Sequence, residues 1–272
     1  MNNTESVIMK KRIVIGNWKM NLTVPESTIL VEKLIKSLAR VSNTEMVICP
    51  TFLDIYSASK ELRGTNILLG AQNLFFVDEG AYTGEISPVQ LANFVKYCII
   101  GHSERRINFG ENDKMVANKV ASAVAHGITP IICIGDTLHE KRDGLSKVVV
   151  MSQLETALSY LTESEVSDII IAYEPVWAIS TSGGMVCEPV DAEKMAKDIR
   201  SLVSALYGKK AATDVRVLYG GSVKDSNAEG YAKIKNMDGA LVGAASLDYN
   251  NFTKIVIAYD KLASSTRKES TK

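Results

Sequence analysis

Three ionisable residues stand directly after apolar runs in this sequence, and together they could move a proton. Glu174 lies in Ala172-Tyr173-Glu174-Pro175. A carboxylate beside an apolar wall is a candidate general base, because loss of water strengthens its hold on a proton. Taken alone, the same residue reads equally as a solvated loop glutamate. His102, in Ile99-Ile100-Gly101-His102, has the placement of a catalytic imidazole and alone reads as structural or catalytic. The other histidines point elsewhere: His126 closes a periodic segment before Gly127, and His139 lies in a charged, solvent-facing stretch. Lys19, in Asn17-Trp18-Lys19, is either a surface lysine or a cation lent to a pocket. Gly220-Gly221-Ser222 and Val242-Gly243-Ala244 are small enough to let backbone N–H groups approach an anion, or are tight turns that need glycine. A carboxylate, an imidazole, a cation and an anion cradle are the equipment for abstracting a proton α to a carbonyl in a small phosphorylated substrate.

What must position them is a set of eight short apolar runs, at residues 13–15, 46–48, 67–69, 97–100, 131–134, 169–172, 217–219 and 240–242. They are continuous rather than alternating, as expected for parallel strands covered on both faces. Between them lie segments of helical period. Ala192, Met195, Ala196, Ile199, Leu202 and Val203 form one face after Pro189, and Val116, Val120, Ala123 and Val124 form another that stops at Gly127. Thr23 and Glu26 fit a capping box ahead of Ile29. Eight strands, each with room for a crossover helix, predict an α/β fold, a single-domain (β/α)8 barrel. The barrel is expected over residues 11–262, between an N-terminal extension at 1–10 and a polar tail at 263–272. The alternative, an open doubly wound sheet, lacks the G-x-G-x-x-G that would follow its first strand. In a barrel, catalytic groups come from the C-terminal ends of strands. By that rule Asn17 and Lys19 follow strand 1, Gln72 and Asn73 strand 3, His102 to Glu104 strand 4, Glu174 strand 6, Gly220 to Ser222 strand 7 and Gly243 strand 8.

Composition narrows the function classes. The 272 residues carry 31 Lys+Arg against 31 Asp+Glu, with 46% hydrophobic and 7% aromatic content, so disordered and fibrous classes are excluded. Zero net charge argues against nucleic-acid and membrane-surface partners, though a site can still be locally positive. No apolar run approaches the ~20 residues of a membrane span. Cys49, Cys98, Cys133 and Cys187 show no metal-ligand spacing and read as buried reduced thiols of a cytoplasmic protein.

Six motifs are similar to those of the triosephosphate isomerase family. They are Asn17-Trp18-Lys19-Met20-Asn21, Ala71-Gln72-Asn73, Gly80-Ala81-Tyr82-Thr83-Gly84-Glu85, Ile100-Gly101-His102-Ser103-Glu104-Arg105-Arg106, Tyr173-Glu174-Pro175-Val176-Trp177-Ala178 and Tyr219-Gly220-Gly221-Ser222-Val223, in family order. The resemblance implies interconversion of dihydroxyacetone phosphate and D-glyceraldehyde 3-phosphate through an enediolate, in glycolysis and gluconeogenesis, without metal or organic cofactor. It implies Glu174 as the proton shuttle, a neutral His102 donating to the carbonyl oxygen, and Lys19 and Asn17 near the substrate oxygens. It implies that Glu104 pairs with Lys19 and that backbone N–H groups of Ser180, Ser222, Gly243 and Ala244 hold the phosphate, with Tyr219 and Trp177 supporting. It further implies a homodimer in which the loop 73–85 docks into a second subunit and Thr83 reaches its neighbour's site. Phe75, Phe76 and Tyr82 on that loop are expected to be exposed and to need a partner surface.

The sequence departs from the family at the loop after strand 6, where Ser180, Ser182, Gly183 and Gly184 replace the usual glycine pattern and the loop is longer. Ala244 replaces a second glycine, and Asp136 replaces a glutamate expected to partner Trp177. These changes predict an active enzyme with a weaker closed state. Two other readings remain: a barrel glycoside hydrolase using Glu104 and Glu174, disfavoured by few aromatic faces, and a barrel kept as a binding module, opposed by the set Asn17, Lys19, His102 and Glu174.

Overall fold

The apolar runs are strands β1 (Arg12–Asn17), β2 (Thr44–Cys49), β3 (Ile67–Ala71), β4 (Tyr97–Ile100), β5 (Thr129–Ile134), β6 (Ile170–Tyr173), β7 (Arg216–Tyr219) and β8 (Gly239–Val242) in a computed structural model that describes residues 10–179 and 185–270. They pair in chain order, all parallel, and β8 returns to β1 to close a single-domain (β/α)8 barrel. Four strands end later than their apolar runs: β1 at Asn17, in register with Cys49, β2 at Cys49, β3 at Ala71 and β6 at Tyr173. The reason is common to all four: ladder bonds use the backbone and are indifferent to side-chain polarity.

Alternation along each strand explains the continuous apolar runs. Ile13, Ile15, Val47, Ile99, Ile131, Ile170, Leu218 and Leu241 fill the barrel interior. Their neighbours Val14, Met46, Ile48, Ile100, Ile132, Ile171, Val217 and Val242 face outward against the helices. Both faces of every strand are therefore dry, and helices such as Val24–Leu38, Asp113–Ala125 and Pro189–Asp214 supply the outer cover. The first begins at the Thr23 and Glu26 capping box; the second ends where Gly127 turns at φ +72°. Among the described residues no helix is long and apolar enough to cross a membrane. All four cysteines are free and buried, and burial pushes the Cys187 thiol up to about 12.

The loop between β3 and β4 turns partly on itself. Phe75 lies 4.4 Å from Phe76 and 4.7 Å from Tyr82 between ring centroids. Against expectation, Phe75 and Phe76 are half-buried by this stacking, and only Tyr82 stands exposed. The root of the loop is fixed by a buried charge cluster. Lys119 donates to Asn73 at 2.8 Å and lies 3.2 Å from Glu111, which also pairs with Arg105 at 2.5 Å.

At the opposite, N-terminal mouth three strands contribute a polar plug. Tyr97 donates to Glu45, and Arg216 bonds Glu45 at 3.0 Å and the Tyr97 hydroxyl at 3.2 Å. Burial works against the Glu45 carboxylate, yet the Tyr97 hydroxyl and the Arg216 cation hold it below the usual glutamate range. A carboxylate depressed in the folded state contributes stability above its unfolded value and loses it as pH falls through the folded one. Glu45→Gln is therefore expected to cost roughly 1–3 kcal/mol near pH 7, with the deficit shrinking as the pH drops below the ordinary carboxylate range. Urea denaturation of both proteins from pH 7 to pH 3 measures it, and a deficit that grows on acidification would contradict the assignment.

Candidate active site

A cavity of about 470 Å³ opens at the C-terminal ends of the strands, lined by Asn17, Lys19, His102, Glu104, Glu174, Ser222, Gly243 and Ala244 among others. It thus gathers residues as far apart in sequence as Asn17 and Asn251 because all eight strands point the same way.

His102 is placed by a turn. Gly101, at φ +77°, bends the chain from β4 into helix Ser103–Phe109, and an added Cβ there would meet the Cys133 carbonyl at 3.1 Å. Arg106 bonds the Gly101 carbonyl at 2.8 Å and pairs with Asp113, so the turn is strapped from the side. The imidazole Nδ1 accepts from the Glu104 N–H at 3.2 Å. A ring nitrogen that accepts carries no proton, which makes His102 the neutral tautomer with its proton on Nε2. That Nε2 lies 3.2 Å from Glu174 Oε1.

Glu174 is 2% exposed, and its other oxygen accepts from the Ser103 N–H at 3.0 Å. Its backbone donates to the Ile134 carbonyl at 2.8 Å, carrying the strand pairing of β5 and β6 one residue further. Two glycines make room for it: a Cβ on Gly135 would sit 1.8 Å from the Glu174 carbonyl oxygen, and one on Gly220 would sit 2.8 Å from its Cγ.

Lys19 faces the same cavity from β1, paired with Glu104 at 2.5 Å as expected. Its backbone is left-handed, φ +54°. Such a conformation costs a non-glycine residue about 1–2 kcal/mol and persists only where surroundings hold it. Here Asn17 Oδ1 accepts the Lys19 N–H at 3.1 Å, and Gln72 donates to the Lys19 carbonyl at 2.8 Å. Asn17 therefore steadies the chain beside it as well as lining the cavity, and Gln72, read from sequence as a strand-end and motif residue, completes the clamp.

Ser222 donates its N–H at 3.2 Å and its hydroxyl at 2.9 Å to the Ala178 carbonyl. Gly243 precedes the 3-10 turn Ala244–Leu247, and Ala244 is exposed at the cavity mouth. Ser180, with Ser182, Gly183 and Gly184, lies outside the described residues. Trp177 and Tyr219 are buried behind the cavity rather than in its lining. Among the described residues no three His, Cys, Asp or Glu side chains gather as a metal site.

Behind Glu174 sits a hub that sequence reading saw only in part. Asp136 is fully buried and accepts from Trp177 Nε1 at 3.0 Å, Tyr173 at 2.9 Å and Ser146 at 2.6 Å. Lys141 stands 3.6 Å over the Trp177 ring. Burial first, then the Asp136 charge, pushes the Tyr173 phenol far up, so it stays a donor. Pairing of Asp136 with Trp177 matches expectation; Tyr173 reads in sequence only as part of the Glu174 motif, and Ser146 is not singled out there. Asp136→Ala would orphan three donors at once and is expected to cost roughly 2–5 kcal/mol, read by chemical denaturation together with the Trp177 emission maximum. A variant within about 0.5 kcal/mol of the parent would show the hub to be dispensable.

Comparison with known proteins agrees with this arrangement. The family model described as triosephosphate isomerase matches residues 12–259. The chain is 47% identical over 249 residues to the triosephosphate isomerase of Caldanaerobacter subterraneus subsp. tengcongensis, covering 91% of this chain and 99% of that one. It is 46% identical to the enzyme of a Thermoanaerobacter species, with the same coverage, and 44% identical to that of Clostridium tetani, covering 96% of the latter.

Proposed function

The chain belongs to the triosephosphate isomerase family, and from that premise we infer that Glu174, His102 and Lys19 carry the interconversion of dihydroxyacetone phosphate and D-glyceraldehyde 3-phosphate, a step of glycolysis. The observation that carries the reading is the 3.2 Å contact between Glu174 Oε1 and the Nε2–H of a neutral His102 at the cavity floor. A substrate carbonyl that displaces this contact meets a base on its carbon side and a donor on its oxygen side.

Glu174 removes a proton from the carbon next to the carbonyl. The C–H electron pair becomes the C=C bond of an enediolate, and the carbonyl oxygen takes the negative charge. His102 Nε2–H donates to that oxygen, and the Lys19 ammonium lowers the cost of the charge in a site shielded from water. His102 gives its Nε2 proton to the charged oxygen and takes the hydroxyl proton of the other, so the negative charge moves to that second oxygen; return of the proton from Glu174 to the neighbouring carbon then leaves the carbonyl there. A neutral imidazole suits this task, since it stabilises the oxygen without first surrendering a full positive charge.

The phosphate binds at Ser222, Gly243 and Ala244, with the Lys19 side chain beside Gly243. The Ser222 N–H now bonds the Ala178 carbonyl at 3.2 Å, so serving the phosphate would weaken this tie between the turn after β7 and Ala178. Closure over the substrate protects the enediolate, which loses phosphate when exposed to water.

The protein acts as a homodimer through the loop 73–85, with exposed Tyr82 and Thr83 entering a partner subunit. The four free, buried thiols fit the reducing conditions of a cytoplasm.

In a coupled isomerase assay Glu174→Asp withdraws the carboxylate by one methylene, and kcat should fall at least about 10²-fold. His102→Gln should lower kcat roughly 10²–10⁴-fold. Near-parent turnover in either variant removes that residue from the chemistry. Sedimentation at micromolar concentration should give twice the chain mass; a monomer there overturns the dimer.

A further inference from the structure

Tyr231, on the short helix Ala228–Ala232 between β7 and β8, lies outside the cavity lining yet touches two of the segments that shape it. Its ring stacks on Tyr219, 4.0 Å between centroids and 12° between planes. Its hydroxyl donates to the Cys187 carbonyl at 2.7 Å. All three residues are buried. The Tyr219 hydroxyl in turn lies against Gly221, where an added Cβ would approach it to 2.2 Å. Gly221 belongs to the turn that presents Ser222 to the cavity, and Cys187 closes the connection that leaves β6 and enters helix Pro189–Asp214. One side chain thus holds a ring under the turn after β7 and a carbonyl at the end of the connection after β6.

We propose that Tyr231 is a positioning residue for the anion cradle: by stacking on Tyr219 and pinning Cys187 it fixes the turn at Gly220, Gly221 and Ser222, and through it the affinity for the substrate's phosphate. The proposal rests on the reading of that turn as the phosphate side of the site. Burial raises the phenols of both Tyr219 and Tyr231, so both remain protonated donors across the working pH range. A cradle of backbone N–H groups works only within a few tenths of an ångström of hydrogen-bond geometry, because these bonds weaken steeply on misalignment. Loss of the Tyr231 hydroxyl removes this donor from the buried Cys187 carbonyl. Loss of the whole ring also opens a void beside Tyr219, whose own ring can then tilt away from Gly221.

The test compares Tyr231→Phe and Tyr231→Leu with the parent enzyme for kcat, KM and competitive inhibition by inorganic phosphate. Tyr231→Phe should raise KM and the phosphate inhibition constant together by about 3-fold, and Tyr231→Leu by about 10-fold, with kcat held within about 2-fold. A tyrosine that serves packing alone would lower the melting temperature and leave both constants at the parent values; that result overturns the proposal, as does a fall in kcat with unchanged phosphate inhibition. Should Tyr231→Leu fail to fold, Tyr231→Phe, which keeps the ring, decides by itself. A parent protein without isomerase activity would overturn the proposed reaction instead, and calorimetric titration of parent and variants with inorganic phosphate would then judge Tyr231 by the same ratios.

Discussion

The Glu174 carboxylate is withdrawn almost wholly from water, and a charge so placed persists only where donors replace its lost hydration. The donors here come from one short stretch: the Ser103 N–H on one oxygen and the His102 ring on the other. That requirement sets much of the surrounding backbone. β4 must end in a left-handed turn so that His102 and Ser103 face across the barrel mouth. β5 and β7 must pass so close on either side that Gly135 and Gly220 can carry no side chain. Behind them Asp136 ties β5 to Tyr173 and Trp177 around the same glutamate, so both flanks of residue 174 rest on one buried acceptor.

The fold was legible because the barrel leaves its imprint on every strand separately. Two dry faces give unbroken apolar runs such as those of β4 and β5, and polar residues just beyond them mark the functional end. Glu174, His102 and Lys19 could be picked out by that local rule. What could not be picked out was anything made by pairing distant residues. The plug of Glu45, Tyr97 and Arg216 joins positions separated by 52, 119 and 171 residues, and none of the three looks unusual in its own segment. Ser146 on Asp136 and Tyr231 on Cys187 were hidden for the same reason. The exposure of Phe75 and Phe76 was misjudged because a loop's aromatics can shelter one another, which no periodicity records.

A chain with no net charge can still serve an anionic substrate, because the relevant field is set within a few ångströms. Lys19 and Lys224 are the cations in the cavity lining, and the Lys19 charge is shared with Glu104 at 2.5 Å. Oriented backbone N–H groups can add attraction, and they carry no formal charge and leave no trace in composition. Placing attraction in the backbone makes it sensitive to the shape of turns, and the site depends accordingly on packing underneath it, at Tyr219 and Trp177, as much as on the residues that line it.

With the role proposed for Lys19, position 19 sets stability against reactivity. Its backbone is left-handed, a conformation that glycine or asparagine would adopt with less strain. Glycine brings no side chain, and asparagine brings no charge. Arginine would keep the charge but bear the same backbone penalty and spread it over a larger planar group. Of the twenty residues none is both relaxed in that turn and able to deliver a compact ammonium to the cavity. Substitutions there would be expected to rank in opposite orders for thermal resistance and for turnover, so sequences selected for one alone would drift away from lysine.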